Sequence, residues 1–318
     1  MPQASNYNGR AFEYITLHTF QEEIQKKCAV IIDESEGYNA AKKAWEAISP
    51  QTRIALKNSA VVAVNIVLEL EPLILKEKKH TLSLRIQTDA SGKEGDVRDL
   101  IIERPKLQWE IGLSLKHNHK AVKHSRLAKT LDFGKSWYNI PCSNEYWAAV
   151  KPVFDRLELE KGKRTKWREI LNKADTVYLP LLDAFTQEIQ RASTKKPRKM
   201  PELMTLYLLG IYDYYKVQTK DSRKLVNLKA FNLHGTLGLV DIKAKQSKIK
   251  VLSLPNRIIH IGLKPKSKTT VEMYLNNGWS FSFRLHSAST QVEPSLKFDI
   301  NLIGHPNEML SITRSWLG

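Results

Sequence analysis

Between residues 96 and 126 two runs leave little choice of local structure. Asp99-Leu100-Ile101-Ile102 begins with a carboxylate and continues as an apolar strand. Trp109 to Lys116 alternates, with Glu110, Gly112, Ser114 and Lys116 at the even positions and Ile111, Leu113 and Leu115 at the odd ones. Strand side chains point to opposite faces at period two, so the odd set needs a core and the even set faces away from it. Two strands side by side are predicted. Ser114 and Lys116 then point the same way, roughly 6 to 7 Å apart along the strand.

A carboxylate opening one strand, with a lysine ending the next roughly fifteen positions on, is what metal-dependent phosphodiester cleavage requires. The carboxylate holds Mg²⁺, an oxygen-loving cation that bridges to a phosphate. The lysine positions or deprotonates the attacking water and offsets the charge building on phosphorus. The same letters alone also describe a surface hairpin with solvated charges. The pattern resembles the core of the PD-(D/E)xK nucleases, with Asp99 as the Asp and Ser114-Leu115-Lys116 where Glu-x-Lys would stand. Serine leaves that site one carboxylate short, and the resemblance implies a glutamate supplied from a helix. Glu13, in Gly9-Arg10-Ala11-Phe12-Glu13-Tyr14, is the candidate, and its plainer reading is a residue complementing a helix N-terminus. The expected catalytic set is Asp99, Lys116, Ser114 and Glu13, with Asp99 and Glu13 as metal ligands. Asp96 rivals Asp99, but only Asp99 leads directly into the apolar run.

The wording around this core narrows the resemblance. GDVRD, EIGLSLKHNHKAVKHSRL, the opening NGRAFEY, and the late GWSFSFRLHSAS and VEPSLKFD resemble the HaeIII family of type II restriction endonucleases, in order along most of the chain. That resemblance implies hydrolysis of double-stranded DNA at the palindrome GGCC, cut at its centre to blunt ends carrying 5′ phosphates. It also implies a separate DNA methyltransferase acting on the same site. A palindromic target suggests two-fold symmetry, hence a homodimer at cleavage.

Charge agrees with an anionic polymer as partner: Lys plus Arg number 50 against 33 Asp plus Glu, a formal net charge of +17 over 318 residues. No apolar run reaches the roughly eighteen residues that a membrane span needs. The best, Ser59 to Leu75, is broken by Asn65, Glu69, Glu71 and Pro72. The N-terminus has no basic region followed by an apolar core, so nothing marks export. With Cys28 and Cys142 as its only cysteines, neither at metal-finger spacing, the chain fits a reducing cytosol, which the family resemblance implies is a prokaryotic cytoplasm, and both are read as small apolar residues.

Along the chain, helices are expected at 10–27, 38–48 and 50–75, a first strand at 80–87, and a glycine-turned loop at 88–95. After Lys116 the sequence is dense in donors. His117, Asn118, His119, Lys120, Lys123 and Arg126 are read as phosphate contacts, with surface histidines as the plainer account of His117 and His119. The letters HNH do not make a ββα-metal site, because side chains alternating along one strand cannot converge on one ion. Residues 143–192 look helical, with Trp147, Val150, Phe154 and Leu157 on one stripe and Leu181, Leu182, Phe185 and Ile189 on another. The basic stretch 193–199 reads as a linker, and Gly210-Ile211-Tyr212, although it resembles half of a GIY-YIG motif, as core. Strands are expected at 248–254, 258–263, 270–275, 279–285 and 297–303. On the fourth, Ser280, Ser282, Arg284 and His286 share a face. With Lys297, this face is a candidate to read guanine edges, since Arg pairs bidentately with O6 and N7.

The expected architecture is α/β (α+β), a mixed sheet flanked by helices with a β-rich C-terminal part. The division is 1–192 as catalytic core with helical insertions and 193–318 as DNA-recognition part. The rival to a nuclease is a non-catalytic, sequence-specific DNA-binding protein on a nuclease-like scaffold, which Ser114 favours and the retained Asp99 and Lys116 oppose. An RNA-processing enzyme would need exposed stacking aromatics, whereas Phe281 and Phe283 fall on the apolar face. No glycine-rich strand-to-helix turn for a methyl-donor cofactor is present.

Overall fold

The structure is a computed structural model that describes residues 2–76, 80–88, 95–241 and 246–316. Most of the loop expected at 88–95 lies outside the described residues. The chain forms two compact units that interleave in sequence. One comprises Met1–Lys120, Gly210–Leu252 and Glu308–Gly318, the other Ala121–Leu209 and Ser253–Asn307.

Numbering strands in chain order, the first unit is built on a mixed sheet of seven. These are β1 (Val30–Asp33), β2 (Leu82–Ile86), β3 (Leu100–Arg104), β4 (Trp109–His117), β6 (Tyr214–Lys220), β7 (Leu225–Phe231) and β14 (Ser311–Ser315), in the order β1-β2-β3-β4-β6-β7-β14. Both alternating runs read from the sequence are strands, and β2, β3 and β4 form an antiparallel meander at the sheet's centre. β4 then pairs in parallel with β6, whose strand partner β7 is antiparallel. A two-stranded ribbon, β8 (Leu239–Asp241) with β9 (Gln246–Ser247), belongs to the same unit.

One face of the sheet is apolar because of the period-two pattern. Leu82, Leu84, Leu100, Ile102, Leu113, Leu115, Val217 and Leu228 are buried there in one cluster. The cluster is completed from helices α1 (Pro2–Ile24), α2 (Glu36–Ala47) and α3 (Pro50–Leu70) by residues such as Phe12, Phe20, Ala41 and Val64. Each Leu, Ile, Val or Phe side chain among them contributes about 1.5–3 kcal/mol on burial. α3 starts on Ser49, whose hydroxyl accepts from Thr52 N, with Pro50 in the first turn. Helix was expected to residue 75, but α3 ends at Leu70, because Pro72 disfavours helical backbone before it, and one turn, α4 (Leu73–Lys76), follows. Arg104 is wholly buried, donating to Ile74 O at 2.7 Å and also to His80 O.

The second unit holds an antiparallel five-stranded sheet. It consists of β5 (Lys123–Ala128), β10 (Ile258–Leu263), β11 (Thr270–Leu275), β12 (Ser280–His286) and β13 (Ser295–Gly304), ordered β10-β11-β12-β13-β5. Asn277 and Gly278, both at positive φ (59° and 81°), make the turn between β11 and β12. Its helices are α5 (Phe133–Tyr138), α6 (Asn144–Gly162), α7 (Leu179–Lys195) and α8 (Lys199–Leu209). Phe185 of α7 lies 5.4 Å from Phe283 and 5.0 Å from Phe298 between ring centroids, so the phenylalanines of β12 and β13 supply core, as their spacing predicts. Cys28 and Cys142 are buried free thiols.

Four expectations are corrected. α7 runs through the boundary drawn at 192/193, and both sides of it belong to the second unit, so the compact units divide the chain elsewhere. Helix is not continuous over 143–192, since α6 stops at Gly162. Residues 248–254 form no strand, whereas β1, β5, β6, β7, β8, β9 and β14 were not anticipated. Gly210-Ile211-Tyr212 is not core: Ile211 and Tyr212 are 47% and 42% exposed, and the positive φ of Gly210 (101°) turns the chain there.

Glu71, wholly buried at the end of α3, accepts from Tyr215 Oη and Gly238 N, each at 2.6 Å on Oε1. Burial pushes its carboxyl up from 4.5 to about 7, against those two hydrogen bonds. The native state therefore binds this proton more tightly than the unfolded chain does. Stability associated with Glu71 is complete below the unfolded value and declines as pH rises through about 7, by as much as about 3 kcal/mol. Glu71→Gln keeps the acceptor oxygen and loses the titration. Urea unfolding of both proteins between pH 5 and 8 should show the variant gaining on wild type as pH rises.

Candidate active site

Asp99 sits where β3 begins, and its main chain is fixed on both sides: Asp99 N donates to Leu113 O at 2.7 Å and Gln87 N donates to Asp99 O at 2.9 Å. Three consecutive residues of β4 then converge on one carboxylate oxygen. Asp99 Oδ2 accepts from Leu115 N at 2.6 Å, Lys116 Nζ at 3.0 Å and Ser114 Oγ at 3.3 Å. The even-face geometry expected of Ser114 and Lys116 is what allows this. Where a glutamate would set a second carboxylate against Asp99, Ser114 presents a hydroxyl donor. Burial pulls the Lys116 ammonium down, but the charge of Asp99 and its hydrogen bond outweigh that and hold it above the usual lysine range.

Glu13, on α1, is buried and paired with Arg10 Nη1 at 3.2 Å. Burial, and next the Asp99 carboxylate, push its pKa up to about 8, while Arg10 and Lys116 oppose the shift. Burial thus drives Glu13 towards its neutral form, and the negative charge of Asp99 adds to that. Such a set of carboxylate and hydroxyl oxygens fits a hard divalent cation, whose charge would relieve the repulsion. The four expected catalytic residues are thus brought together.

Asp96 has a different environment. Both of its oxygens take hydrogen bonds from Arg98, each at 2.8 Å, and Arg98 also reaches Glu110 at 2.7 Å. Burial opposes ionisation of Asp96, but hydrogen bonds from Arg98 and Gln87 prevail and hold it below the usual carboxylate range. The guanidinium lies 4.0 Å from the centroid of the Tyr212 ring. It crosses β4 at Gly112, where any Cβ would collide with the Arg98 side chain. Gly112, a mere gap in the sequence pattern, is the space this clamp occupies.

The residues assigned to DNA separate into groups. His117 Nε2 lies 2.6 Å from Asp221 Oδ2, and Asn118 bonds the same oxygen at 3.2 Å and accepts from Asp221 N at 3.0 Å, so this pair braces the end of β4. His119 and Lys120 are exposed, and their carbonyls accept from Gln218 and Lys216, each at 2.8 Å. In the second unit Lys123 points to the apolar side, its ammonium 4.0 Å from the Tyr207 ring, and burial pushes it down to about 8. Arg126, Lys297 and His286 stand in one register row across β5, β13 and β12, with His124, Asp299 and Arg284 in another of the same face. Asp299 lies 2.9 Å from His124 and 3.1 Å from His286, while Arg284 is exposed. Ser280 and Ser282, expected beside them, are buried. Sequence reasoning passed over Lys216, although Tyr214 to Lys220 alternates like β4 and pairs Lys216 with Ser114.

Fold and comparison agree on the class. The sheet and its helices are consistent with a nuclease-like core, and the protein is a type II restriction endonuclease, a hydrolase of double-stranded DNA. The chain is 43% identical over 317 residues, covering 99% of both chains, to the "Type II restriction enzyme HaeIII" of Haemophilus aegyptius. A profile of the HaeIII restriction endonuclease matches residues 9–306, and the chain belongs to that family. No solved structure matches it. Enzymes of this type generally use divalent metal ions. No described helix is long and apolar enough to cross a membrane.

The coupling of Glu13 to its neighbours has a measurable sign. Asp99→Asn removes a like charge and should lower the Glu13 midpoint from about 8, though burial keeps it above 4.5. Lys116→Met removes a favourable charge and should raise it. Carboxyl carbon-13 NMR titration of the two variants should therefore move Glu13 in opposite directions.

Proposed function

We propose that this protein is a Mg²⁺-dependent endonuclease that cleaves double-stranded DNA at GGCC, cutting at the centre to leave blunt ends with 5′ phosphates. It acts as a homodimer in a prokaryotic cytoplasm, beside a separate DNA methyltransferase that modifies the same site. The observation that carries this reading is the convergence of Leu115 N, Lys116 Nζ and Ser114 Oγ on Asp99 Oδ2, with Glu13 alongside. Target and cut position rest on the family relationship, in which 43% identity spans 99% of the chain.

Asp99 and Glu13 would hold Mg²⁺, which when bound supplies Lewis-acid polarisation of the phosphate and of water. The chain's own groups do the rest. Lys116, hydrogen-bonded to Asp99, orients or activates the attacking water and offsets charge on phosphorus. Ser114 Oγ gives the third and longest of the hydrogen bonds that hold Asp99 Oδ2. Asp96 is bound by Arg98 and serves to position the strand. His119, Lys120 and Arg126 contact phosphates, and His117 and Asn118 act by holding the loop that presents His119 and Lys120. Arg284, His286 and Lys297 supply base and backbone contacts from the five-stranded sheet, with Arg284 suited to the guanine edge. Lys123, turned to the apolar side, contributes at the margin of that surface.

The absence of a glutamate at position 114 favours a second reading, a DNA-binding protein without catalysis. Plasmid DNA incubated with Mg²⁺, with and without EDTA, separates the two. Fragments ending within GGCC, abolished by EDTA and slowed about 10²–10³-fold in Lys116→Ala, are expected. An intact plasmid that shifts on a gel would leave the binding protein standing, and fragments ending elsewhere would remove the target assignment.

A further inference from the structure

The face of the seven-stranded sheet opposite α1, α2 and α3 continues the site in one direction. Ser114 of β4 pairs with Lys216 of β6, Lys216 with Lys229 of β7, and Lys229 with Ser311 of β14. One step along the strands, Lys116 pairs with Gln218, Gln218 with Asn227, and Asn227 with Thr313. Paired residues put their side chains on one face, so two polar rows run from the Asp99 site to the edge strand. Neither row contains a carboxylate. Three inter-strand steps make each row about 14 Å long.

We propose that these rows carry the phosphodiester backbone of the DNA strand away from the Asp99–Lys116 site, with Lys216 and Lys229 as phosphate-binding residues. The proposal rests on the reading of Asp99 and Lys116 as the cleavage site. Electrostatics support it. Burial, then the charges of Lys116 and Lys229, push Lys216 down to about 7 against the pull of Asp99, and burial lowers Lys229. Cations crowded in this way are relieved by a bound polyanion. Lys229 is half-buried, with no ion pair among the described residues, and Ser311 and Thr313 are exposed at the outer end. The side chains are lysine, amide and hydroxyl donors with no arginine fork, which suits phosphate oxygens rather than base edges.

The test is binding of the full-length protein, in EDTA, to duplexes with and without GGCC, measured from 50 to 200 mM salt. Lys229→Gln should lower the slope of log K against log salt by about one on both duplexes, so affinity falls about threefold to fourfold less over that range. Lys216→Gln should do the same, and Lys43→Gln on α2, an exposed control, should leave the slope alone. Because Lys216 is buried and its variant risks misfolding, Lys229→Gln decides the matter. An unchanged slope in that variant, or a loss confined to the GGCC duplex, would overturn the proposal. Failure of the wild type to cleave plasmid would instead overturn the nuclease reading, and the two results are read separately.

Discussion

A single carboxylate oxygen, Asp99 Oδ2, ties together the main chain and both polar side chains of the Ser114-Leu115-Lys116 run. Its backbone is held at the same time by Gln87 and Leu113 on the two flanking strands. The result is a charged group whose position is set by the β2-β3-β4 ladder rather than by a loop. That rigidity lets a short, acceptor-only side chain shift the proton affinity of two neighbours. Asp99 raises that of Lys116 against the effect of burial, and adds to the larger effect of burial on Glu13.

The two aspartates of the GDVRD motif show how an identical side chain acquires different chemistry from its surroundings. Asp96 is satisfied by a guanidinium that is itself shared with Glu110 and laid over Tyr212, a closed arrangement with little capacity for another cation. Asp99 is satisfied by an ammonium, a hydroxyl and an amide on one oxygen only, leaving a carboxylate that still carries ligand capacity. The absence of a side chain at Gly112 separates these fates, since Arg98 needs that space to reach across β4. Elsewhere in the first unit buried polar residues keep at least one partner, Arg104 against main-chain carbonyls and Glu71 Oε1 against Tyr215 and Gly238, while Arg104 Nε and Glu71 Oε2 have none.

Much of this was legible without coordinates. Alternation over Trp109 to Lys116 specified a strand and the face of Ser114 and Lys116, and the apolar run after Asp99 specified its neighbour. Glu13 was singled out through the missing carboxylate that Ser114 implies. The β-rich C-terminal texture correctly announced β10 to β13, because turn residues such as Asn277-Gly278 punctuate it. Among the strands that were missed, β5, β6, β7 and β14 carry lysine, asparagine and serine on one face, and those letters read as loop when the opposite face is not known to be covered. The boundary at 192/193 failed for a related reason: a basic stretch resembles a linker in one dimension, yet α7 and α8 flank it within one compact unit.

What the sequence alone determined was therefore local and periodic: which residues form strands, which of their faces are apolar, and which carboxylate opens the apolar run. The family's letters are likewise a property of the linear order. Tertiary structure decided the pairings. Only the register of β4 against β6 and of β6 against β7 brings Lys216 and Lys229 into line with Ser114, from positions about a hundred residues away. Only packing of α1 on the sheet sets Glu13 near Asp99 and shifts its proton affinity. The physical reason is that periodicity is written in neighbours along the chain, whereas a pKa or a cationic row depends on charges and burial contributed by segments remote in sequence.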